Sequence, residues 1–466
     1  MSKPEVRWAT SGCVLLLLAS TIAGAGPRAA RNKTALDRYV FAPDPSYRYN
    51  VVSNTKRQGF TEYVVDMISQ EWRSAAEVDR PRWQHWLTVI VPDQPRSTTA
   101  FLLINGGRNG RAAPRGAEPL LALAATRTAT VVADLRMVPN EPLTFQGENR
   151  SRTEDEIIAY SWDKYLRGGD ERWPLRLPMT KSAVRAMDTV TALCAAQGQP
   201  GIDKFFVAGG SKRGWTTWTT AAVDDRVVAI APFVIDTLDL EKSMEHHYRA
   251  YGFWAPAVKD YVDMRIMDWT GTARFRALMK IEDPYSYRER LTMPKLIVNA
   301  TGDQYFVPDS SQFYFDGLKG EKHLRYVPNA KHDLANSDAY ATLQAFYQSI
   351  IDGTPRPRYA WRFDSDGAIT VTPVERPAEV LLWQATNPKA RDFRLDTIGR
   401  AFTSTPLQPD AAGRYVARVA KPPEGWTAFF VEMTFPGSGG STFKFTSGVR
   451  VVPDTLAAPL PPRKRP

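Results

Sequence analysis

Short apolar runs alternate with amphipathic segments between about residues 85 and 350 of the chain. Several of these runs are apolar throughout, as strands buried on both faces of a parallel sheet are. The runs that we interpret as strands are 85–91, 99–105, 128–135, 204–209, 227–234, 295–300 and 323–328. The segments between them repeat apolar residues at helical spacing, and glycines such as Gly198 end the pattern. This alternation predicts an α/β fold with a doubly wound, mostly parallel sheet.

The pattern changes at two places. Residues 236–290 are helical in character and rich in aromatic side chains, which indicates a helical lid insertion in a first domain spanning 26–355. After residue 355, short β-rich runs with Gly, Pro and Asp-Gly punctuation predict a small β-sandwich-like domain over 356–455. A proline-rich, basic tail follows at 456–466. Two domains suit a chain of 466 residues, because a single core rarely grows that large.

The first 25 residues have the pattern of a secretory signal peptide. Lys3 and Arg7 give a basic start, a short apolar run follows, and Ala23-Gly24-Ala25 offers small residues for cleavage. The apolar run is too short to span a bilayer comfortably, so we expect no stable membrane anchor. The predicted location is periplasmic or secreted.

Charge and cysteine content exclude several classes of function. The net charge of +10 is scattered along the chain apart from the basic tail, and no nucleic-acid-binding motif accompanies it. Cys13 would leave with the signal peptide, which leaves Cys194 without a disulfide partner and best interpreted as a small buried residue. His246 and His247 are neighbours, and neighbours on a helix do not face one metal ion. We therefore predict no metal, no other cofactor and no nucleic-acid partner.

Candidate chemistry begins with the stretch "FFVAGGSKRGWTTW" at 205–218. An apolar strand, a tight turn and a helix, with Ser211 at the apex, form the pattern of a nucleophile elbow. Gly209 fits the first glycine of the usual G-x-S-x-G motif, whereas Arg213 stands where the second glycine belongs and Gly214 follows it. We expect Gly214 to supply the space that the turn needs.

A serine hydroxyl is a weak nucleophile unless a histidine, oriented by a carboxylate, accepts its proton. The chain has only five histidines, and His332 lies in a loop directly after a predicted strand. Asp303 follows the preceding strand in the same way, so Ser211, Asp303 and His332 occur in the chain order of α/β-hydrolases. Two alternatives remain open: Asp309 is the acid and Asp303 a turn residue, or His332 caps the last helix.

Other residues around this turn are candidates for binding substrate. The backbone N–H of Lys212, with that of Gly107 or Arg108 in "NGGRNG", would form an oxyanion hole, although these glycines also fit a simple tight turn. The run Glu154, Asp155 and Glu156 would bind a substrate's free amino end, or begin a helix as acidic residues commonly do. Trp215 would line a pocket or pack in the core.

Three stretches of the chain are distinctive: "GGSKRGWTTW", "NATGDQYFVPDSSQFYFD" and "LRYVPNAKHDL". They resemble the PhoPQ-activated pathogenicity-related protein family, which includes autocrine proliferation repressors, and the likeness extends from about residue 40 to 450. The resemblance implies an α/β-hydrolase domain distantly similar to the prolyl-oligopeptidase type, without an N-terminal propeller, followed by a β-domain. By position it gives Ser211, Asp303 and His332 the roles of a catalytic triad.

Two functions follow from these observations. The leading hypothesis is an exported serine hydrolase that transfers the acyl group of a peptide or ester substrate to water. The alternative is a secreted interaction or signalling protein with a hydrolase fold and no significant catalysis. In that case we expect a protein partner at the C-terminal β-domain.

Overall fold

A computed structural model of the chain describes residues 33–199 and 201–461. The predicted secretory signal at 1–25 and the last part of the predicted tail, 462–466, lie outside the described residues. Cys194 is described, and it is a buried free cysteine as the sequence indicated.

The main sheet has nine strands. They are β1 (Arg48–Arg57), β2 (Phe60–Glu71), β3 (Arg82–Pro92), β4 (Thr99–Ile104), β5 (Val132–Leu135), β6 (Lys204–Gly210), β7 (Val227–Phe233), β8 (Lys295–Ala300) and β9 (Lys322–Val327). The helices that accompany them are α1 (Ala35–Phe41), α2 (Pro119–Thr128), α3 (Asp155–Gly168), α4 (Arg176–Ala196), α5 (Lys212–Val223), α6 (Leu240–Tyr251), α7 (Lys259–Asp263), α8 (Ala273–Glu282) and α9 (Ala339–Ile351).

The order of strands across this sheet is β1-β2-β3-β5-β4-β6-β7-β8-β9. Strands β4 to β9 run parallel, and β1 to β3 are antiparallel to their neighbours. Helices α4 and α5 pack in a core on one face, while α2 and α9 contribute to a second core on the other. This topology confirms the predicted doubly wound α/β-hydrolase sheet.

The helical insertion predicted at 236–290 is present between β7 and β8. It consists of α6, α7, α8 and short 3₁₀ turns, the last of which is Pro284–Arg290. His246 and His247 of α6 are buried. The helix α6 therefore turns these polar side chains toward the protein rather than toward solvent.

Two antiparallel sheets follow the last helix of the α/β part, in agreement with the predicted β-sandwich-like region. One contains β10 (Tyr359–Phe363), β11 (Ile369–Pro373) and β14 (Tyr415–Ala417). The other contains β12 (Glu379–Asn387), β13 (Thr403–Pro406), β15 (Trp426–Pro436), β16 (Thr442–Thr446) and β17 (Arg450–Val452). A one-turn helix, α10 (Leu395–Ile398), lies between β12 and β13.

These C-terminal strands share a core with the parallel sheet. The ring of Phe445 in β16 stacks on His323 in β9, with ring centroids 4.2 Å apart. The backbone N–H of Tyr326 donates to the hydroxyl of Thr446 over 3.0 Å. The sheets are therefore joined by buried contacts, and the domain boundary at residue 355 stays a prediction.

We predict that Phe445→Ala lowers the free energy of unfolding of the protein by about 3–5 kcal/mol, because it removes a fully buried ring between two sheets. Chemical denaturation followed by tryptophan fluorescence measures this change. Val374→Ala is the control, since Val374 is 63% exposed and should change stability by less than about 0.5 kcal/mol. An equally small effect of Phe445→Ala would show that the two sheets are energetically independent.

Candidate active site

The backbone turns sharply at Ser211, between the end of β6 and the start of α5. Ser211 has φ 57° and ψ −128°, a left-handed conformation that is strained for any residue with a side chain. A Cβ added to Gly209 would lie 2.7 Å from the carbonyl oxygen of Arg213, and one added to Gly214 would lie 2.8 Å from that of Phe233. Both positions must be glycine, so Gly214 supplies the space that the sequence analysis assigned to it.

His332 and Asp303 meet on the loops that follow β9 and β8. The Nδ1 atom of His332 lies 2.8 Å from Oδ2 of Asp303 and forms a hydrogen bond with it. The other oxygen of the buried Asp303 accepts a hydrogen bond from the backbone N–H of Tyr305 over 2.8 Å. The carboxylate is therefore fixed and holds the imidazole in one orientation.

The second ring nitrogen of His332, Nε2, is buried and makes no hydrogen bond within 33–199 or 201–461. The structure therefore does not join His332 directly to Ser211. Tyr305 and Phe306 belong to the surroundings of both residues. Both rings contact the imidazole of His332, with centroids 4.5 and 5.8 Å away, and both line a pocket that includes Ser211. The three predicted triad residues follow the parallel strands β6, β8 and β9 and lie at the same edge of the sheet.

The alternative acid, Asp309, has different partners. Its carboxylate lies 2.9 Å from Nε2 of His246 and 2.6 Å from Nη2 of Arg391. Burial alone would raise the pKa of Asp309, but Arg391 and His246 lower it well below its usual range. Asp303, not Asp309, is the carboxylate that holds His332.

The predicted oxyanion donors belong to two neighbouring loops. Strands β4 and β6 pair with Ile104 opposite Gly209, so the loops after them lie side by side. The first hydrogen bond inside α5 runs from Trp215 N to Ser211 O, which leaves the N–H of Lys212 without a partner in the described part of the chain. The same holds for the N–H groups of Gly107 and Arg108 among the described residues.

A largely buried ion network lies against this turn, and the side chain of Glu154 is its most exposed member at 38%. The Nζ atom of Lys212 is 2.8 Å from Oε2 of Glu154 and 3.1 Å from Oδ2 of Asp155, and Arg213 Nη2 is 2.7 Å from Oε1 of Glu154. Burial alone would raise the pKa of Glu154, but Arg213 and Lys212 lower it to about 2. Burial alone would lower the pKa of Lys212, yet Asp155 and Glu154 raise it. Glu154 and Lys212 are therefore held in their charged forms.

The acidic run at 154–156 begins helix α3, which starts at Asp155. Glu156 pairs with Arg150, so all three carboxylates have cationic partners from this chain. A substrate amine would have to compete with Lys212 and Arg213 for Glu154. Binding of an amino end by this run stays a prediction.

A further carboxylate, that of Glu141, binds the backbone of Glu154. Its Oε2 atom accepts a hydrogen bond from the backbone N–H of Glu154 over 2.6 Å. Burial and the nearby charge of Glu154 raise the pKa of Glu141 to about 7. Glu141 therefore changes its charge near neutral pH, and it does so beside Glu154 of the ion network.

A small apolar pocket opens beside Ser211 beneath the helical insertion. Its volume is about 50 Å³. Trp215 lines it and donates its Nε1–H to the carbonyl oxygen of Glu282 over 2.5 Å. The insertion contributes most of the other apolar walls: Leu240, Met244, Val258, Tyr261, Ile266, Met267 and Phe275. The insertion therefore covers the pocket, as a lid would.

The described residues contain no group of three or more His, Cys, Asp or Glu side chains placed to hold a metal ion. Between residues 33 and 461, leaving out residue 200, no helix has both the length and the apolar character needed to cross a membrane.

Comparison with known proteins identifies the family. The family model described as "PhoPQ-activated pathogenicity-related protein" matches residues 36–394, well over half of the chain. The chain belongs to this family. A curated relative, autocrine proliferation repressor protein A of Dictyostelium discoideum, is 35% identical to this member over 475 residues, which cover 96% of this chain and 94% of the relative. The resemblance noted in the sequence is thereby confirmed.

Solved structures similar to this family member include two acetyl xylan esterases. Acetyl xylan esterase 1 from Thermoanaerobacterium sp. JW/SL YS485 is 14% identical, covers 68% of this chain and 92% of its own, and has a TM-score of 0.48. The enzyme from Paenibacillus sp. R4 is 15% identical, covers 71% and 97% of the two chains, and has a TM-score of 0.47. The strand order of this chain defines its α/β-hydrolase sheet independently of these two structures.

Sequence reasoning missed three residues of this site. Arg213 was noted only as a departure from the glycine motif, although a cation there and an acidic run at 154–156 together hint at an ion pair. Glu141 and Tyr261 gave no signal, since nothing in their local sequence shows that they approach Glu154 and Asp155.

We predict that Glu141→Gln flattens the pH dependence of stability between about pH 4.5 and 7. Because the folded state raises the pKa of Glu141 from 4.5 to about 7, it binds more protons than the unfolded state in this window, so the free energy of unfolding falls as pH rises. The glutamine keeps an acceptor for the N–H of Glu154 but carries no charge. At pH 7.5 to 8 the variant should be more stable by up to about 3 kcal/mol.

Denaturation curves at several pH values check this result. Glu118→Gln, at an exposed carboxylate, is the matched control and should keep the slope of the wild-type protein. An unchanged slope in Glu141→Gln would show that this carboxyl titrates alike in the folded and unfolded states.

Proposed function

We propose that this protein is an exported serine hydrolase with Ser211 as nucleophile, His332 as base and Asp303 as the orienting acid. One observation carries the proposal: a serine in a strained left-handed turn shares a sheet edge with a hydrogen-bonded His–Asp pair whose carboxylate is buried. Strain of this kind persists only where the surrounding structure enforces it, and it is typical of functional turns. The apolar pocket beside Ser211 provides a place for substrate.

The geometry supports acyl transfer in two steps. Oγ of Ser211 attacks the substrate carbonyl carbon while Nε2 of His332 accepts the hydroxyl proton, and the carbonyl π electrons move to the oxygen. The N–H of Lys212, with that of Gly107 or Arg108, stabilises the negative oxygen. The intermediate then collapses, and His332 returns the proton to the leaving group.

Water releases the acyl group by the same chemistry. His332 takes a proton from water, the hydroxide attacks the acyl carbon, and Ser211 leaves with a proton from His332. Hydrogen bonds between nucleophile and base are often long in substrate-free enzymes and tighten in the complex, which is consistent with the unpartnered Nε2 of His332.

The pocket favours a small, uncharged acyl group. Its volume of about 50 Å³ is a third of the roughly 150 Å³ of a cavity that holds benzene. The charged groups at its edge, Lys212 and Asp155, are already paired, so a charged substrate group would enter without a free partner. We infer an ester or amide of a short apolar acid as the substrate class, with export directed by residues 1–25.

An interaction protein without catalysis is the second candidate. It is favoured by the absence of a Ser211–His332 hydrogen bond and by the name of the 35% identical relative, a proliferation repressor. The C-terminal antiparallel sheets would then bind a protein partner.

We predict that a fluorophosphonate probe labels the wild-type protein and fails to label Ser211→Ala, because the phosphorus reacts only with an activated serine oxygen. Asp303→Asn should slow labelling by at least about 10²-fold, since the imidazole loses the carboxylate that orients it. Gel fluorescence with peptide mapping identifies the modified residue.

Ser310→Ala is the matched control, at a buried serine of the loop after β8 whose hydroxyl donates to Val307 O. It should label like the wild type. If the folded wild-type protein does not label at all, the hydrolase proposal is wrong and the interaction protein is favoured. Equal labelling of Ser211→Ala would identify another nucleophile.

We predict that kcat/KM for p-nitrophenyl esters falls at least about tenfold from acetate to octanoate, because the longer chain exceeds the volume of the pocket. Phe275→Ala should reduce this ratio by enlarging the pocket beneath the insertion. A steady rise of kcat/KM with chain length in the wild-type protein would contradict the proposed size of the acyl group.

A further inference from the structure

Arg213 stands where the elbow motif normally has glycine, and its side chain is only 12% exposed. We propose that Arg213 is a positioning residue that holds the loop of the second oxyanion donor, Asn105–Arg108, against the nucleophile turn. This inference rests on the serine-hydrolase function proposed above.

The first contact joins α5 to the segment after β5. Nε of Arg213 donates a hydrogen bond to the carbonyl oxygen of Val138 over 2.5 Å. The same segment is hydrogen-bonded to the loop Asn105–Arg108: Val138 N donates to Asn105 O over 3.1 Å, and Met137 N donates to Gly106 O over 3.0 Å. Arg213 thus binds the segment to which the loop is hydrogen-bonded.

The second contact is direct packing on the loop itself. A Cβ added to Gly106 would lie 2.8 Å from Nη2 of Arg213 and 3.1 Å from its Cζ. The φ of Gly106 lies outside the left-handed region, so its backbone conformation does not demand glycine. The guanidinium packs so closely on Gly106 that a Cβ at this position would displace it.

The third contact anchors the guanidinium at its other end. Nη2 of Arg213 lies 2.7 Å from Oε1 of Glu154, and Glu154 is fixed by its own backbone hydrogen bond to Glu141. A planar guanidinium presents donors in a rigid fork, so it can bind a carbonyl and a carboxylate at once in a single orientation. A lysine would satisfy only part of this geometry.

The donor end of the loop, Gly107 and Arg108, needs this support because it forms fewer backbone hydrogen bonds than the first two residues of the loop. Gly107 and Arg108 are exposed, and within the described chain their backbone N–H groups make no hydrogen bonds. An oxyanion donor stabilises a transition state only when it is held in place before the reaction. Arg213 supplies that constraint from the same helix whose first N–H, that of Lys212, is the other donor.

A double-mutant cycle with Arg213→Met and Gly106→Ala tests this role, using the full mature chain and p-nitrophenyl acetate. Arg213→Met should lower kcat by about 10²-fold, the usual cost of losing an oxyanion donor. KM should stay within about threefold of the wild-type value, because ground-state binding is not affected. Arg213→Lys should recover part of the lost kcat.

Gly106→Ala should lower kcat in the same way, because its Cβ displaces the guanidinium end of the Arg213 side chain from the loop. In the Arg213→Met background, Gly106→Ala should have little further effect, since the group that it displaces is absent. Arg226→Met is the control: this arginine also pairs with two carboxylates, just beyond the other end of α5, and the variant should keep the wild-type kcat.

The inference is overturned if Arg213→Met keeps the kcat of Arg226→Met, or if the effects of Gly106→Ala and Arg213→Met on kcat simply multiply. If Arg213→Met does not fold, Gly106→Ala decides alone, and a wild-type kcat in that variant overturns the inference. A wild-type protein that neither hydrolyses esters nor reacts with fluorophosphonate overturns the proposed function itself, which is a separate result.

Discussion

The backbone at Ser211 passes from strand to helix within a single residue, and the tightness of this turn determines what surrounds it. Glycine is required at 209 and 214 because backbone carbonyl oxygens lie where their Cβ atoms would be. The N–H of Ser211 donates to Phe233 O over 2.8 Å, which ties the turn to the neighbouring strand. The strained φ of Ser211 is maintained by this packing, and it costs about 1–3 kcal/mol.

A charged residue, Arg213, stands at the position of the second glycine in the usual elbow motif. The turn begins with two cations, Lys212 and Arg213, both largely buried, and α3 begins with the carboxylates of Glu154 and Asp155 that pair with them. Removing one partner from this largely buried network leaves a partly desolvated charge unpaired, which is destabilising. The helix start at 154–155 and the nucleophile turn therefore depend on each other, and the hydroxyl of Tyr261, which donates to Asp155, links the insertion to both.

The sequence predicted the parallel strands well because each is an apolar run with clear breaks, and it predicted the glycine requirement at 214 from the same turn. It predicted neither β1 nor β2. The residues of β1 alternate between exposed and half-buried, because an edge strand carries few apolar side chains, whereas β2 is largely buried and was missed despite its apolar residues. It placed Asp303 and His332 on adjoining loops by chain order, and their hydrogen bond follows from the parallel arrangement of β8 and β9.

The contacts of Arg213 were beyond local reasoning. Its partners Val138 and Glu154 lie 75 and 59 residues away in the chain, and only the folded sheet brings them together. The same is true of Glu141, because its burial and the nearby charge of Glu154, which together raise the pKa of its carboxyl to about 7, arise only in the folded chain. Local patterns thus identify the turn, whereas long-range ion pairs decide how it is supported.

A crystal structure of the protein after reaction with a small alkyl fluorophosphonate tests the central claim most directly. We expect phosphorus bonded to Oγ of Ser211, with the phosphoryl oxygen about 2.7–3.1 Å from the N atom of Lys212 and from that of Gly107 or Arg108. Nε2 of His332 should face the Ser211 oxygen. Phosphorus on another side chain, or a phosphoryl oxygen directed away from both loops, would contradict the account.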